Sequence, residues 1–245
     1  MGQILCLHFF TGHILADYYF QTSKIANNKE HFFKYLLLHC FIYLLTMIAV
    51  VLPLFSWQLL QWALFIAIIH FVIDSCKAFL SKRFVFTDLQ EVLLYFTDQT
   101  LHILTILFVL AAIILSATNI AYTDSLTNLI HIFHINPVSL LSWLVILLLL
   151  IQPSSITVRT VLDHFNPKTA DDGIANAGAL IGVFERLLIL LMLYANQYAA
   201  IGFVLTAKSI ARYNKIAEEP AFAEYYLLGT LLSSLLVIVS FHIIF

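Results

Sequence analysis

Charge is what this sequence has least of. Only 11% of its 245 residues are Asp, Glu, Lys or Arg, where a soluble domain carries about a quarter. The balance is a net charge of −2, which excludes a generally basic surface for nucleic acid; no basic block or RNA-binding signature is present. Cysteine is nearly absent: Cys6, Cys40 and Cys76 stand singly without C-x-x-C spacing, and each reads as a small apolar residue. The sequence also lacks H-E-x-x-H, a nucleotide-binding loop, a dinucleotide fingerprint and a haem-attachment motif, so those routes to function are closed. There is no basic n-region and no small-residue cleavage site, so the first apolar segment is expected to stay as a helix.

Hydrophobicity is abundant instead, at 62% of residues with 21 phenylalanines, the composition of a membrane protein. Apolar segments run over 2–22, 33–52, 58–80, 90–116, 137–160, 178–197, 200–215 and 221–244. They predict an all-α, polytopic transmembrane bundle of eight helices, or seven if the short seventh segment is a half-helix. Pro53, Asn136-Pro137, Asn166-Pro167, Asp172-Gly173 and Pro220 fall between segments or at their edges. Basic residues flank alternate loops: Lys24, Lys29 and Lys34 the first, Lys77, Lys82 and Arg83 the third, Arg159 and Lys168 the fifth, Arg212 and Lys215 the seventh. The second, fourth and sixth loops have neither Lys nor Arg, which puts the odd loops in the cytoplasm and, for eight crossings, both termini outside. Residues 1–116 form one expected four-helix half and 117–245 the other.

Within these oily helices the polar residues are patterned. His13-x3-Asp17 lies on the first, His39 on the second, His70-x3-Asp74 on the third and Asp98-x3-His102 on the fourth. The order reverses between descending and rising helices, as a shared depth demands, and each i,i+4 pair projects from one face. The expectation is a carboxylate layer (Asp17, Asp74, Asp98, with His39) near the cytoplasm and a histidine layer (His13, His70, His102) about one turn deeper. Imidazole with carboxylate is a ligand set for zinc first, and for manganese or iron. Seven ligands exceed the need of one tetrahedral ion, so either two ions bind or some residues orient the others. A structural hydrogen-bond network is the plain alternative, although intramembrane ionisable groups are costly and usually functional. His8, alone on an apolar face, reads as a core residue.

The C-terminal half carries a second set: Glu185 and Arg186 in "IGVFERLL", Lys208 and Arg212 in "AKSIARY", and Glu224 in "FAEYY". Mutual pairing would neutralise most of it. The basic residues outnumber the acidic by one, leaving room for an anionic ligand. Gly178-x3-Gly182 and Gly229-x3-Ser233 are spacings that serve close helix packing, and Asn176 is a candidate cap.

The run His13-x3-Asp17-x3-Gln21, His39, His70-x3-Asp74-x2-Lys77 and Asp98-Gln99-x2-His102 resembles a bacterial membrane-protein family catalogued as a domain of unknown function. "GALIGVFER", "AKSIARY" and "FAEYYLLGTLLSS" resemble its C-terminal half. The resemblance implies a multi-pass protein of the bacterial cytoplasmic (inner) membrane and no defined activity. More loosely, the His-x3-Asp helices are similar to those of predicted membrane-bound metal-dependent hydrolases of the DNA-damage-induced type. The leading expectation is a metal-dependent intramembrane hydrolase open to the cytoplasm, with one of Asp17, Asp74 or Asp98 as general base. Arg186, Lys208 or Arg212 would hold the anionic head of a lipid-linked phosphate. Two alternatives stand beside it: an ion-coupled or metal transporter, and a scaffold or sensor with a structural metal. The bilayer is the expected partner, with no nucleic acid.

Overall fold

The structure is a computed structural model that describes residues 2–116, 120–165 and 177–245. Asn166-Pro167, Lys168, Asp172-Gly173 and Asn176 lie outside the described residues. Among those described, every regular element is helical. The chain divides into two compact units, Met1–Val145 and Ile146–Phe245.

The first unit contains α1 (Gly2–Ile14), α2 (Ser23–Asn28), α3 (Phe33–Val51), α4 (Trp57–Arg83), α5 (Asp88–Leu115) and α6 (Asp124–Ile132). Helix α7 (Pro137–Ile151) straddles the division; α8 (Pro153–His164), α9 (Ala177–Tyr194), α10 (Tyr198–Ala211), α11 (Tyr213–Glu218) and α12 (Pro220–Ile244) follow. Each of the eight apolar segments is thus helical. Five stretches are long and apolar enough to cross a bilayer: Phe33–Leu54, Trp57–Arg83, Asp88–Leu115, Pro137–His164 and Pro220–Ile244. Tyr198–Ala211 is a shorter apolar helix. Outward-facing Phe41, Leu45, Leu104 and Phe108 are exposed, as a lipid-facing surface requires.

Local chemistry sets the helix ends. Thr87 and Gln90 form a reciprocal capping box at the start of α5, with Asp88 and Glu91 in its first turn where the helix dipole favours them. The Asn136 side chain accepts from the Val138 and Ser139 amides at 3.1 and 3.2 Å, starting α7. Proline opens α7 and α12, where its missing N–H costs nothing.

In the first unit, α1, α3, α4 and α5 pack around a core that includes Phe9, Met47, Leu59, Ile66 and Ile106. These residues lie toward one end of the helices, and the polar residues lie toward the other. Gly12 makes the α1–α3 contact possible. A Cβ there would fall 2.7 Å from Met47 Sδ and 2.8 Å from Val50 Cγ2.

The second unit contains a break absent from the sequence expectation, which ran one helix over 137–160. Pro153 removes the N–H that would bond the Leu149 carbonyl. The Ser154 hydroxyl donates to that carbonyl instead, at 2.9 Å, and α8 then continues to His164. The two small-residue spacings differ in use. A Cβ on Gly229 would lie 2.9 Å from Leu162 Cδ1, a true close approach, whereas at Gly178 it would meet nothing within 4 Å among the described residues.

Candidate metal centre

The first helix does not end as a regular α-helix. From Leu15 to Tyr19 it widens into a π turn, closed by the Phe20 amide donating to the Leu15 carbonyl at 2.8 Å. Such single widened turns concentrate at functional positions, and this one carries Asp17. Asp17 Oδ2 lies 3.7 Å from His13 Nδ1, while Oδ1 turns toward α3 and α4.

There it meets His39 and His70. Their Nε2 atoms are 3.1 Å apart. Asp17 Oδ1 lies 3.5 and 3.6 Å from them, and Asp74 Oδ2 lies 3.3 and 3.7 Å from them. Two triangles therefore share the His39–His70 edge, one closed by Asp17 and the other by Asp74. A tetrahedral zinc site with bonds of about 2.0–2.1 Å has ligand–ligand edges of roughly 3.3–3.4 Å. The observed edges bracket that value. Seven side chains, His13, Asp17, His39, His70, Asp74, Asp98 and His102, fall into three ligand triads whose atoms lie within 4.8 Å of one another. The expected layers interleave here, since His70 reaches both Asp17 and Asp74. The π turn and the length of the imidazole remove the one-turn offset that regular helices would give.

Burial sharpens the point. Asp17 Oδ1, Asp74 Oδ1, Asp98 Oδ1, the Nδ1 atoms of His39 and His70, and both nitrogens of His102 are buried without a hydrogen-bond partner among the described residues. Each such group costs free energy unless something satisfies it. A cation bound by carboxylates and imidazoles meets part of that demand.

Two lysines enter the site from its rim. Lys29 caps the C-terminus of α2 and donates to Asp74 Oδ2 at 2.9 Å; Lys77, one turn beyond Asp74 on α4, donates to Asp98 Oδ2 at 3.4 Å. Glu30 stands 3.6 Å from Lys77 Nζ. Burial alone lowers the Lys29 pKa, but the Asp74, Asp17 and Asp98 carboxylates outweigh it and hold the ammonium above the ordinary lysine value. In formal charge, Asp17, Asp74, Asp98 and Glu30 against Lys29 and Lys77 leave two negative charges, the complement of one divalent cation.

Aromatic and amide groups brace the site. The Tyr43 ring stacks on His70 at 3.6 Å between centroids and 12° between planes, and its hydroxyl lies 3.4 Å from His13 Nδ1. The Gln99 amide donates to Asp98 Oδ2 at 3.2 Å and accepts from the Tyr18 hydroxyl at 2.8 Å. Lys29, Lys77 and Tyr43 were not among the sequence candidates for the site. The Asp74-x2-Lys77 spacing was the available signal for Lys77, whereas nothing local marks Lys29. His8 is apart from the cluster, bonded through Nδ1 to the Ile4 carbonyl at 2.8 Å.

The second charged set is separate chemistry. Arg186 is buried and donates to neutral oxygens: Leu150 O at 2.7 Å, Ser233 Oγ at 3.3 Å and Ser155 Oγ. It thereby serves the Leu150 carbonyl beside the Pro153 break. Glu185 accepts from Lys208, which also donates to Thr230 at 3.0 Å. Arg212 lies over the Phe222 ring at 5.8 Å, and Glu224 is exposed.

A family model described as "Protein of unknown function (DUF3307)" matches residues 5–133, a span containing every residue of the His/Asp cluster. No curated protein and no solved structure matches the chain.

Proposed function

Because the chain belongs to this family of unknown function, its activity has to be read from its own site, and we propose that it is an integral membrane hydrolase dependent on one divalent metal ion. The observation that carries this reading is the convergence of His39, His70, Asp17 and Asp74 at 3.1–3.7 Å in a buried cluster. His39, His70 and Asp74 would hold the ion, zinc first and manganese or iron next, with Asp17 beside the fourth position, which is left to water. When bound, such an ion lowers the pKa of a water molecule and polarises a phosphoryl or carbonyl oxygen. The net −2 of the cluster and rim favours one ion over two.

His13 orients Asp17, and Tyr43 fixes the plane of His70. Asp98, held by Gln99 and Lys77 through Oδ2, keeps Oδ1 for a proton from water and is the proposed general base. His102, beside it, is a ligand or proton carrier. In the second unit, Arg186 is engaged by neutral oxygens and Lys208 by Glu185 and Thr230, so the anionic head group of a lipid-linked phosphate is better assigned to cations at the metal site itself. The alternation of basic loops supports eight crossings of a bacterial cytoplasmic membrane, with the site open to the cytoplasm.

The test joins metal content and turnover. Detergent-purified protein should hold one transition-metal ion per chain by plasma mass spectrometry, lost in the double variant His70→Ala, Asp74→Ala. Asp98→Asn should keep the ion and lose hydrolysis of lipid phosphates. A folded wild type that takes up neither zinc nor manganese removes the proposal.

One observation favours a second reading, an ion-coupled or metal transporter. Lys29 and Lys77 ion-pair with two of the carboxylates, so the cluster carries built-in cations that compete with a cargo ion, as release requires. Metal uptake into proteoliposomes without turnover would put that reading first.

A further inference from the structure

The lysines have a second consequence, which rests on the metal reading above. Access to the cluster is graded. Asp74 and Asp98 side chains are 1% and 5% exposed, Lys29 and Lys77 are 12% and 17%, and Glu30 is 32%. Anything entering along this gradient meets the two ammonium groups before it meets a carboxylate or an imidazole. Lys29 holds Asp74 Oδ2, the same oxygen that closes the His39–His70 triangle. A cation bound in that triangle competes with Lys29 for this atom. The ammonium has three donors and a flexible stem, and the more exposed direction is the one left to it. Lys77 is already shared at long range, 3.4 Å to Asp98 and 3.6 Å to Glu30, so neither contact saturates it.

We propose that Lys29 and Lys77 form an oxyanion-binding pair at the mouth of the metal site, and that the group they recognise is a phosphate. A phosphate offers several charged acceptors to two separate ammonium donors, whereas a peptide carbonyl offers one uncharged acceptor and leaves one ammonium unmatched. The pair is distinct from Arg186, whose donors are engaged by the helix break. Its ligand is either the head group of a lipid or a free phosphate.

The experiment is calorimetric titration of the full-length protein in detergent with inorganic phosphate and, separately, with a short-chain phosphatidate, each with and without saturating zinc. Metal content is measured on every sample. Zinc-loaded wild type should bind phosphate, and Lys29→Gln and Lys77→Gln should each weaken it by about ten- to a hundredfold while keeping their zinc. Lys29→Arg, which keeps the charge, should recover most of the loss and guards against a folding defect. Phosphatidate tighter than phosphate identifies a lipid head group; equal affinities identify free phosphate. Phosphate affinity unchanged in both Gln variants, with zinc or without it, overturns the pair. So does loss of zinc in step with loss of phosphate. A wild type that binds no zinc fails the metal reading, and the zinc-free titrations then decide the lysines on their own.

Discussion

Lys29→Met is the most informative single change in this protein. It removes the ammonium that donates to Asp74 at 2.9 Å and leaves a carboxylate that is only 1% exposed. Breaking a buried pair from one side typically costs about 3–5 kcal/mol, because the surviving charge has neither water nor partner. Protonating an aspartate of ordinary acidity at pH 7 costs about 4 kcal/mol, which caps the loss. At about 3 kcal/mol, a chain of this length should lose roughly 6–12 °C in its unfolding midpoint. Zinc should restore most of it, since a cation on Asp74 replaces the missing charge. By linkage the same 3 kcal/mol appears as tighter binding, about a hundredfold, because the metal no longer has to displace an ammonium. Thermal unfolding in detergent, with and without zinc, reads the first quantity; competition against a chelating dye reads the second. A midpoint that falls equally in both conditions, or a zinc affinity that does not rise, would refute the idea that Lys29 and the metal share one oxygen.

Three further changes probe other parts of the argument. Tyr43→Leu, which removes the ring stacked on His70 at 3.6 Å, should lower zinc affinity about ten- to a hundredfold, while Tyr43→Phe keeps the stacking and loses far less; the same dye competition checks it, and equal losses would deny the ring a positioning role. Gly12→Ala puts a methyl 2.7 Å from Met47 Sδ and 2.8 Å from Val50 and should destabilise by about 1–3 kcal/mol in mixed-micelle denaturation; no loss would mean that α1 and α3 have slack. Arg186→Leu strips the donor from the Leu150 carbonyl beside the Pro153 break and should cost about 1–3 kcal/mol; a more stable variant would mean that burying the guanidinium costs more than its bonds return.

Apolar length and the placement of prolines made the helical architecture legible, because a bilayer leaves the backbone few ways to satisfy itself. The three i,i+4 pairs, joined by the lone His39, made four walls of the candidate site legible as well, since a shared face and a shared depth follow from regular helix geometry. What stayed hidden was whatever departs from regularity or arrives from outside a span. Lys29 read as one more basic residue flanking a loop; only the short turn of α2, with Ile25 buried and Thr22 at its cap, directs that lysine to Asp74. Nothing in the sequence around Tyr43 marks it as the ring that stacks on His70. Pro153 hid inside a hydrophobic run because Ser154 repairs the bond it breaks, and no sequence period records such a repair.

The widened turn at Leu15–Tyr19 has a mechanical meaning for the whole first helix. A π turn holds one residue more than an α turn, and here it is the last turn of the helix, so it loosens the register between the helix and its own end. The helix before it is locked by Gly12 against Met47 and Val50. The widened turn itself carries Asp17 and aims it at the imidazoles of two other helices. The fit of the helix therefore does not dictate the angle of the carboxylate. Deleting Ala16 would return this last turn to the helical register and force a choice between a packed interface and an aligned carboxylate.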